Sequence, residues 1–277
     1  MKPNKLTRQQ IEYLIQFVHP DKILSWSTNV DDRVSATIYG VTVGEYRAVR
    51  RRLANEVRGV AQEMLHDAGF ARCVDKLPFH RKAVVVGLGD SITDDVQSSI
   101  EILKALLLLR RPKDKIQVVN AGISGDTTSN IITRFLEVVN LKPNWIICMA
   151  STNDARRHGR KPTKTLVSLG ETKQNFAMLR NYTRTQTKAR WVWMTPCAVI
   201  TKKISKHWIL GPGQMMWRNE DLSAIARVIR RQPEPFVDLQ RVFGRPANPD
   251  LLMDDGLHPN LAGQKAIVTA LVDRLTR

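Results

Sequence analysis

From about Lys82 to the C-terminus, short apolar β-rich runs alternate with longer stretches of helical pattern, and this alternation limits the fold more than any other feature. The runs are Ala83–Leu88 (AVVVGL), Ile116–Ala121 (IQVVNA), Trp145–Ala150 (WIICMA), Trp191–Thr195 (WVWMT) and a weaker Phe236–Leu239 (FVDL). Helical segments lie between them at Ser98–Leu109, Ser129–Val139, Leu166–Thr187 and Leu222–Arg231. Leu261–Leu275 closes the chain, with Asn260 as its N-cap. Strands alternating with helices imply βαβ units and a parallel sheet. Right-handed crossovers then place helices on both faces. The first three runs are almost wholly apolar, as strands covered on both sides are.

The first 82 residues read differently. Arg8–Val18 and Val43–Ala68 have amphipathic helical spacing; in the second, Tyr46, Val49, Leu53, Val57, Val60, Ala61 and Leu65 form the apolar stripe. Arg47, Arg50, Arg51, Arg52 and Arg58 lie largely elsewhere on that helix. Ser25–Gly40 shows no clear period, and Ala36–Val43 fits a short strand. The division expected is a mostly helical N-terminal appendage at 1–82, of no legible function, followed by an α/β domain at 83–277.

The 277 residues are 43% hydrophobic and 25% charged, which excludes a disordered or collagen-like chain. Lys and Arg exceed Asp and Glu by 43 to 26, a net charge of +17. The excess is 14 against 9 up to residue 82 and 29 against 17 beyond it, so it is no basic tail. Such a balance attracts nucleic acid, anionic lipid or acidic substrates nonspecifically and says nothing about fold. Cys73, Cys148 and Cys197 are far apart, with neither a disulfide framework nor metal-ligand spacing. The N-terminus, residues 1–10, is polar and no signal peptide or membrane span follows it, which makes a cytoplasmic location the default. Removal of a leader would make the protein a secreted one instead.

The first run ends in Gly87-Leu88-Gly89-Asp90-Ser91-Ile92. As a dinucleotide fingerprint it fails, because its third glycine position is Ile92 and the second run is followed by no acidic residue for a ribose. No phosphate loop of the G-x-x-x-x-G-K-[ST] type appears anywhere, so no nucleotide cofactor is expected. Ser91 instead stands where a nucleophile can, at a strand's carboxyl end before a helix, although a lone serine there reads as a helix cap. Downstream, Asp255 and His258 are three positions apart on a turn, so that the carboxylate can accept from Nδ1 and turn Nε2 towards Ser91. Asp254 competes for the same role, but spacing favours Asp255. Gly125, after the second run, lets a backbone N–H approach a ligand, and the Asn153 carboxamide, after the third, offers two donors. Singly, both read as turn residues. Jointly, Ser91, Gly125, Asn153 and the Asp255/His258 pair follow runs one, two, three and five, at the carboxyl edge where open α/β sheets bind ligands.

These residues resemble an SGNH (GDSL-type) hydrolase. Its four blocks are matched in order by Gly89-Asp90-Ser91-Ile92, by Gly125 within NAGISGDTT, by Ser151-Thr152-Asn153-Asp154 and by Asp255-Gly256-Leu257-His258-Pro259-Asn260. The resemblance covers about residues 83–277. It departs at Ser151, where the third block usually begins with glycine, and that bears on the loop's conformation more than on Asn153. The resemblance implies a flavodoxin-like three-layer α/β/α sandwich with strand order 2-1-3-4-5. It implies ester hydrolysis through an acyl-enzyme, without metal or cofactor. Ser91 would be the nucleophile, His258 general base and then acid, and Asp255 its orienter. The Ser91 and Gly125 N–H groups and the Asn153 side chain would form the oxyanion hole. Asp90 would shape the nucleophile turn.

Every proposed role then falls between Ser91 and His258, so the appendage is expected to supply no catalytic group, and a folded truncation starting near Pro78 to keep esterase chemistry. The substrate is a small-molecule ester of small or medium acyl length, sugar acetates included. A thioesterase or lysophospholipase would use the same site. A third alternative is a basic nucleic-acid-binding protein, favoured by the charge and the arginine-rich helix but lacking any sequence-reading motif. The loop 196–214, with Val199, Ile200, Trp208, Ile209 and Leu210, either walls an acyl pocket or covers the core. Arg156, Arg157, His158, Arg160 and Lys161 follow Asn153 and could attract an acidic leaving group, but read rather as a solvated basic face, and His19, His66, His80 and His207 as structural or surface residues.

Overall fold

Residue 85 of the first strand faces one hydrophobic cluster and residues 86 and 88 face another, which is the period-2 alternation of a strand buried on both sides. The computed structural model that shows this describes residues 6–25, 27 and 29–277. Residues 1–5 of the polar N-terminal run, and Trp26 and Thr28 of the stretch without clear period, lie outside the described residues.

Five helices come first: α1 Arg8–Phe17, α2 Pro20–Ile23, α3 Asp32–Tyr39, α4 Val43–His66 and α5 Ala68–Lys76. Then follow β1 Val84–Gly89, α6 Ser91–Asp94, α7 Ser99–Arg110, β2 Gln117–Gly122, α8 Thr128–Thr133, α9 Phe135–Asn140 and β3 Trp145–Met149. The remainder is β4 Arg157–His158, α10 Leu169–Gln186, β5 Arg190–Met194, α11 Thr201–Ile204, β6 Met215–Met216, α12 Asn219–Ile229, β7 Phe236–Val237, α13 Leu239–Phe243 and α14 Leu261–Thr276.

The main sheet is parallel throughout, in the order β2-β1-β3-β5-β7. Counted among themselves, its five strands have the order 2-1-3-4-5, as the resemblance implied. β4 and β6 form a separate antiparallel pair. On one face, α7 and α14 pack Leu103, Leu106, Ile267 and Leu271 against Val85 and Ile147. On the other, α8, α9, α10 and α12 pack Ile131, Phe135, Phe176 and Leu222 against Val86, Leu88 and Trp193.

The N-terminal helices join this architecture. Val57, Ala61 and Met64 of α4 and Val74 of α5 belong to the same cluster as Leu103 and Val85. Residues 36–43 are not a strand. Asp31 caps α3 by accepting from the Arg33 and Val34 N–H groups, and Gly40 stops it at φ +67°. Ala36 and Tyr39 then face Ile15 and Tyr46 in a small core between α1, α3 and α4. Two turns are too short to show a period among polar neighbours. The helix expected at Ser129–Val139 is two, parted at Arg134. Within 196–214, α11 and a series of turns bury Val199, Ile204 and Leu210 in the core, with Trp208 only partly covered.

Candidate active site

β1 delivers its carboxyl end to the sheet edge with almost no room to spare. A Cβ on Gly89 would lie 2.5 Å from the Met149 carbonyl oxygen, so only glycine lets β1 and β3 close there. Asp90 follows and caps α6, its Oδ1 accepting from the Ile92 N–H at 3.1 Å. Ser91 is the first residue of α6, partly exposed. Its Oγ is 2.8 Å from His258 Nε2.

The turn that carries His258 is held from several sides. Met253 N–H donates to the His258 carbonyl, and Leu252 bridges to Pro259. Gly256 sits at φ +71°, where an added Cβ would come within 2.6 Å of the Ile200 carbonyl oxygen. The buried Asp255 accepts at Oδ1 from the Leu257 and His258 N–H groups (2.8 and 2.9 Å) and at Oδ2 from His258 Nδ1 (2.6 Å). Burial pushes the Asp255 carboxyl upward, but the His258 charge and hydrogen bond and the two backbone donors outweigh it and hold it well below the usual range. Burial likewise pulls the His258 imidazole down, and Asp255 outweighs it, leaving His258 more basic than an ordinary histidine. Asp254, the competitor, is fully exposed beside Lys203.

The other two loops are tied to one another. Asn153, 4% exposed, donates through Nδ2 to the Asp126 carbonyl at 3.1 Å, next to Gly125. Gly125 has φ +92° and open space where a Cβ would be. Asp154 accepts from the Thr128 N–H and hydroxyl (2.8 and 2.7 Å) and from the Thr172 hydroxyl (2.8 Å), which locks the third loop to α8 and α10. Ser151 has φ +91°, a backbone conformation that favours glycine, which accounts for the glycine usual at that position. Asp90 is fully buried, and desolvation pushes its carboxyl up to about 7.

Two further residues reach the site from α1, and the sequence carries no signal for them. The Tyr13 hydroxyl donates to Asp255 Oδ2 at 3.1 Å and lies 3.3 Å from His258 Nδ1. The Phe17 ring stands 4.5 Å from the imidazole, centroid to centroid. His207 and Trp208, from the loop after β5, pack against Tyr13 at 5.1 and 6.0 Å. The N-terminal segment 1–82 thus covers one side of the site, with Tyr13 and Phe17 against Asp255 and His258.

A family model described as GDSL-like lipase/acylhydrolase matches residues 88–266, so the five N-terminal helices lie outside the match. An acetylxylan esterase of Geobacillus stearothermophilus is 28% identical over 209 residues, 67% of this chain and 90% of the relative. The crystal structure of Axe2, an acetylxylan esterase from the same organism, superposes with a TM-score of 0.56 at 22% identity, over 73% of this chain and 97% of Axe2. LAE5, an alpha/beta hydrolase enzyme from the metagenome of Lake Arreo, Spain, gives 0.55 at 24% identity, over 71% and 96%. These likenesses concern the fold, whereas the family match spans well over half of the chain. The chain belongs to the GDSL-like lipase/acylhydrolase family, the SGNH hydrolases, and is a carboxylic ester hydrolase.

Proposed function

We propose that this hydrolase works through a Ser91–His258–Asp255 triad and an acyl-enzyme. The observation that carries the reading is the continuous chain of contacts from Ser91 Oγ to Nε2 (2.8 Å) and from Nδ1 to Asp255 (2.6 Å). His258 takes the Ser91 proton as Oγ attacks the ester carbonyl carbon. Collapse of the tetrahedral intermediate breaks the bond to the alcohol oxygen, which receives that proton. Water, deprotonated by His258, then cleaves the acyl-serine and restores the serine. The Ser91 and Gly125 N–H groups and the Asn153 amide hold the oxyanion; one Asn153 hydrogen is committed to Asp126, leaving the other for this. On this reading the chemistry sits in the domain 83–277, and the helices of 1–82 buttress it.

The substrate is a short acyl ester, an acetyl group on a sugar hydroxyl. The acetylxylan esterase relative supports the acetyl sugar, and the Phe17 and Tyr13 rings beside the base, with Trp208 against Tyr13, favour a short acyl group over a long one. Binding of nucleic acid beyond nonspecific attraction has little support, because three of the five arginines of α4 are engaged within the chain: Arg47 with Asp32, Arg52 with Glu12 and Glu56, Arg50 with His19. A fluorophosphonate should label the protein once, on Ser91, and folded Ser91→Ala should lose almost all turnover. Full turnover in that variant, or a label on another serine, would sink the mechanism. A panel of acetylated sugars, nitrophenyl esters, acyl-CoAs and lysophospholipids should show fastest turnover of the acetyl sugars, and preference for a thioester or lysolipid would overturn the substrate.

A further inference from the structure

Helix α1 does not merely pass over the site; it is fastened to the segment that follows the nucleophile. Gln16 donates through Nε2 to Asp95 Oδ1 at 3.0 Å, and its carbonyl accepts from the Val96 N–H at 3.2 Å. The Phe17 carbonyl accepts from the Ser124 hydroxyl. Just beyond, buried His19 places Nδ1 2.7 Å from Asp94, and its Nε2 accepts from Arg50 at 3.1 Å. Lys22 reaches the same Asp94 oxygen at 2.7 Å. Burial works to raise the Asp94 carboxyl, but His19 and Lys22 hold it below the usual range, so this anchor stays charged. The Tyr13 ring is gripped between Phe17, centroid distance 4.8 Å, and His207 at 5.1 Å.

We infer that Tyr13 is a positioning residue of the hydrolase: a fourth member of the charge chain, brought by the N-terminal helices, whose hydroxyl holds Asp255 and tempers its pull on His258. The inference rests on the triad reading above. Because Nδ1 carries its proton towards Oδ2, the single Tyr13 proton can go only to that carboxylate. Asp255 then has four donors: the Leu257 and His258 N–H groups, His258 Nδ1 and Tyr13. The fourth fixes the plane in which the carboxylate meets the imidazole. It also disperses charge that would otherwise stabilise the imidazolium, so it keeps His258 a base at lower pH. Burial and the adjacent Asp255 push the Tyr13 phenol far above its ordinary pKa, so it remains a donor at any working pH. The groups facing His258 are Asp255 on its own turn, Asp90 and Asp95 beside α6, His207 from the loop after β5 and Tyr13 from α1. Among them Tyr13 is the one neutral donor bonded to Asp255 from another element.

The test is Tyr13→Phe in the full chain, which removes one oxygen and keeps the ring. Deleting one hydrogen bond to a charged group should lower kcat about ten-fold with little change in KM. The acid limb of kcat/KM should move to higher pH, and ¹⁵N NMR titration of His258 should move with it. Tyr13→Met, which also lacks the hydroxyl, should shift both in the same direction even if its packing suffers. A folded Tyr13→Phe with the parental kcat, pH profile and His258 titration would overturn the inference. The titration needs no substrate, so a failure of the triad reading, seen as full turnover in Ser91→Ala, is distinguishable from a failure here.

Discussion

Ser151→Gly should stabilise this protein, against the usual cost of placing glycine in a fold. Ser151 is fully buried at φ +91°, where a Cβ crowds the backbone, and its hydroxyl finds no hydrogen-bond partner among the described residues. Holding a non-glycine residue in such a region costs about 1–3 kcal/mol. The unsatisfied hydroxyl adds about 1 kcal/mol or more. Against this, glycine has a freer unfolded chain, which costs about 0.5–1 kcal/mol. The balance favours glycine by about 1–3 kcal/mol, or a rise in Tm of about 2–5 °C for a chain of this size. Ser151→Ala separates the contributions: it removes the hydroxyl but keeps the Cβ, so it should gain clearly less. Urea unfolding followed by fluorescence, with an unchanged m-value, is the measurement. Asn153 is held separately by its bond to the Asp126 carbonyl, so kcat should change little. A glycine variant less stable than the parent, or an alanine variant equally stabilised, would refute the argument from backbone strain.

Asn153→Ala should lower kcat by about 10²–10³ with a smaller change in KM, the loss expected for one oxyanion donor, and the remaining activity should still require Ser91. The pH dependence has two opposed parts. His258 must be neutral to act and Asp255 raises its pKa, so kcat/KM should fall at acid pH with a limb above that of an ordinary histidine; Asp255→Asn should move that limb down and lower kcat about 10⁴-fold. Stability runs the other way: the depressed Asp255 contributes above the usual carboxylate range and loses this as pH falls, while the raised His258 contributes below an unfolded histidine's pKa and fades as pH rises through the folded one. Urea midpoints across pH should therefore peak in mildly acid solution, where turnover is already falling.

The five strands could be read from the sequence because parallel strands buried on both faces leave unbroken apolar runs such as AVVVGL and WIICMA. The residues of the proposed triad could be read because Ser91 directly follows β1 and Asp255 and His258 share one short turn, beside glycines fixed by close approach: Gly89 against Met149, Gly256 against Ile200. α3 was hidden for a local reason, since an eight-residue helix capped by Asp31 and ended by Gly40 has little room to display a period. The basic charge is a weaker guide than the strand pattern. Arginine 134, which parts α8 from α9, is spent on Asp126 at 2.6 Å and on the Gly89 carbonyl, and Arg230 on Asp238. Formal charge counts such residues as available to a polyanion, whereas the fold has already used them.

Tyr13 was illegible for a deeper reason. Its partner Asp255 is 242 positions away, and nothing about a tyrosine on an amphipathic helix announces which surface that helix will cover. What decides it is a set of anchors that looks like ordinary polar sequence: Gln16 to Asp95, His19 and Lys22 to Asp94, Ser124 to the Phe17 carbonyl. All three partners, Asp94, Asp95 and Ser124, lie within five residues of Ser91 or on the loop that carries Gly125. The contacts that fix the nucleophile's neighbourhood thus also fix α1, and fixing α1 brings Tyr13 to the base. The same helices are bound from behind by the α4 stripe, where Val57, Ala61 and Met64 share a core with Leu103 and Val85. A segment outside the family match is in this way packed against both the core and the Asp255–His258 pair, so on the proposed mechanism its loss would reach the chemistry along two routes, through stability and through the hydrogen bonding of Asp255.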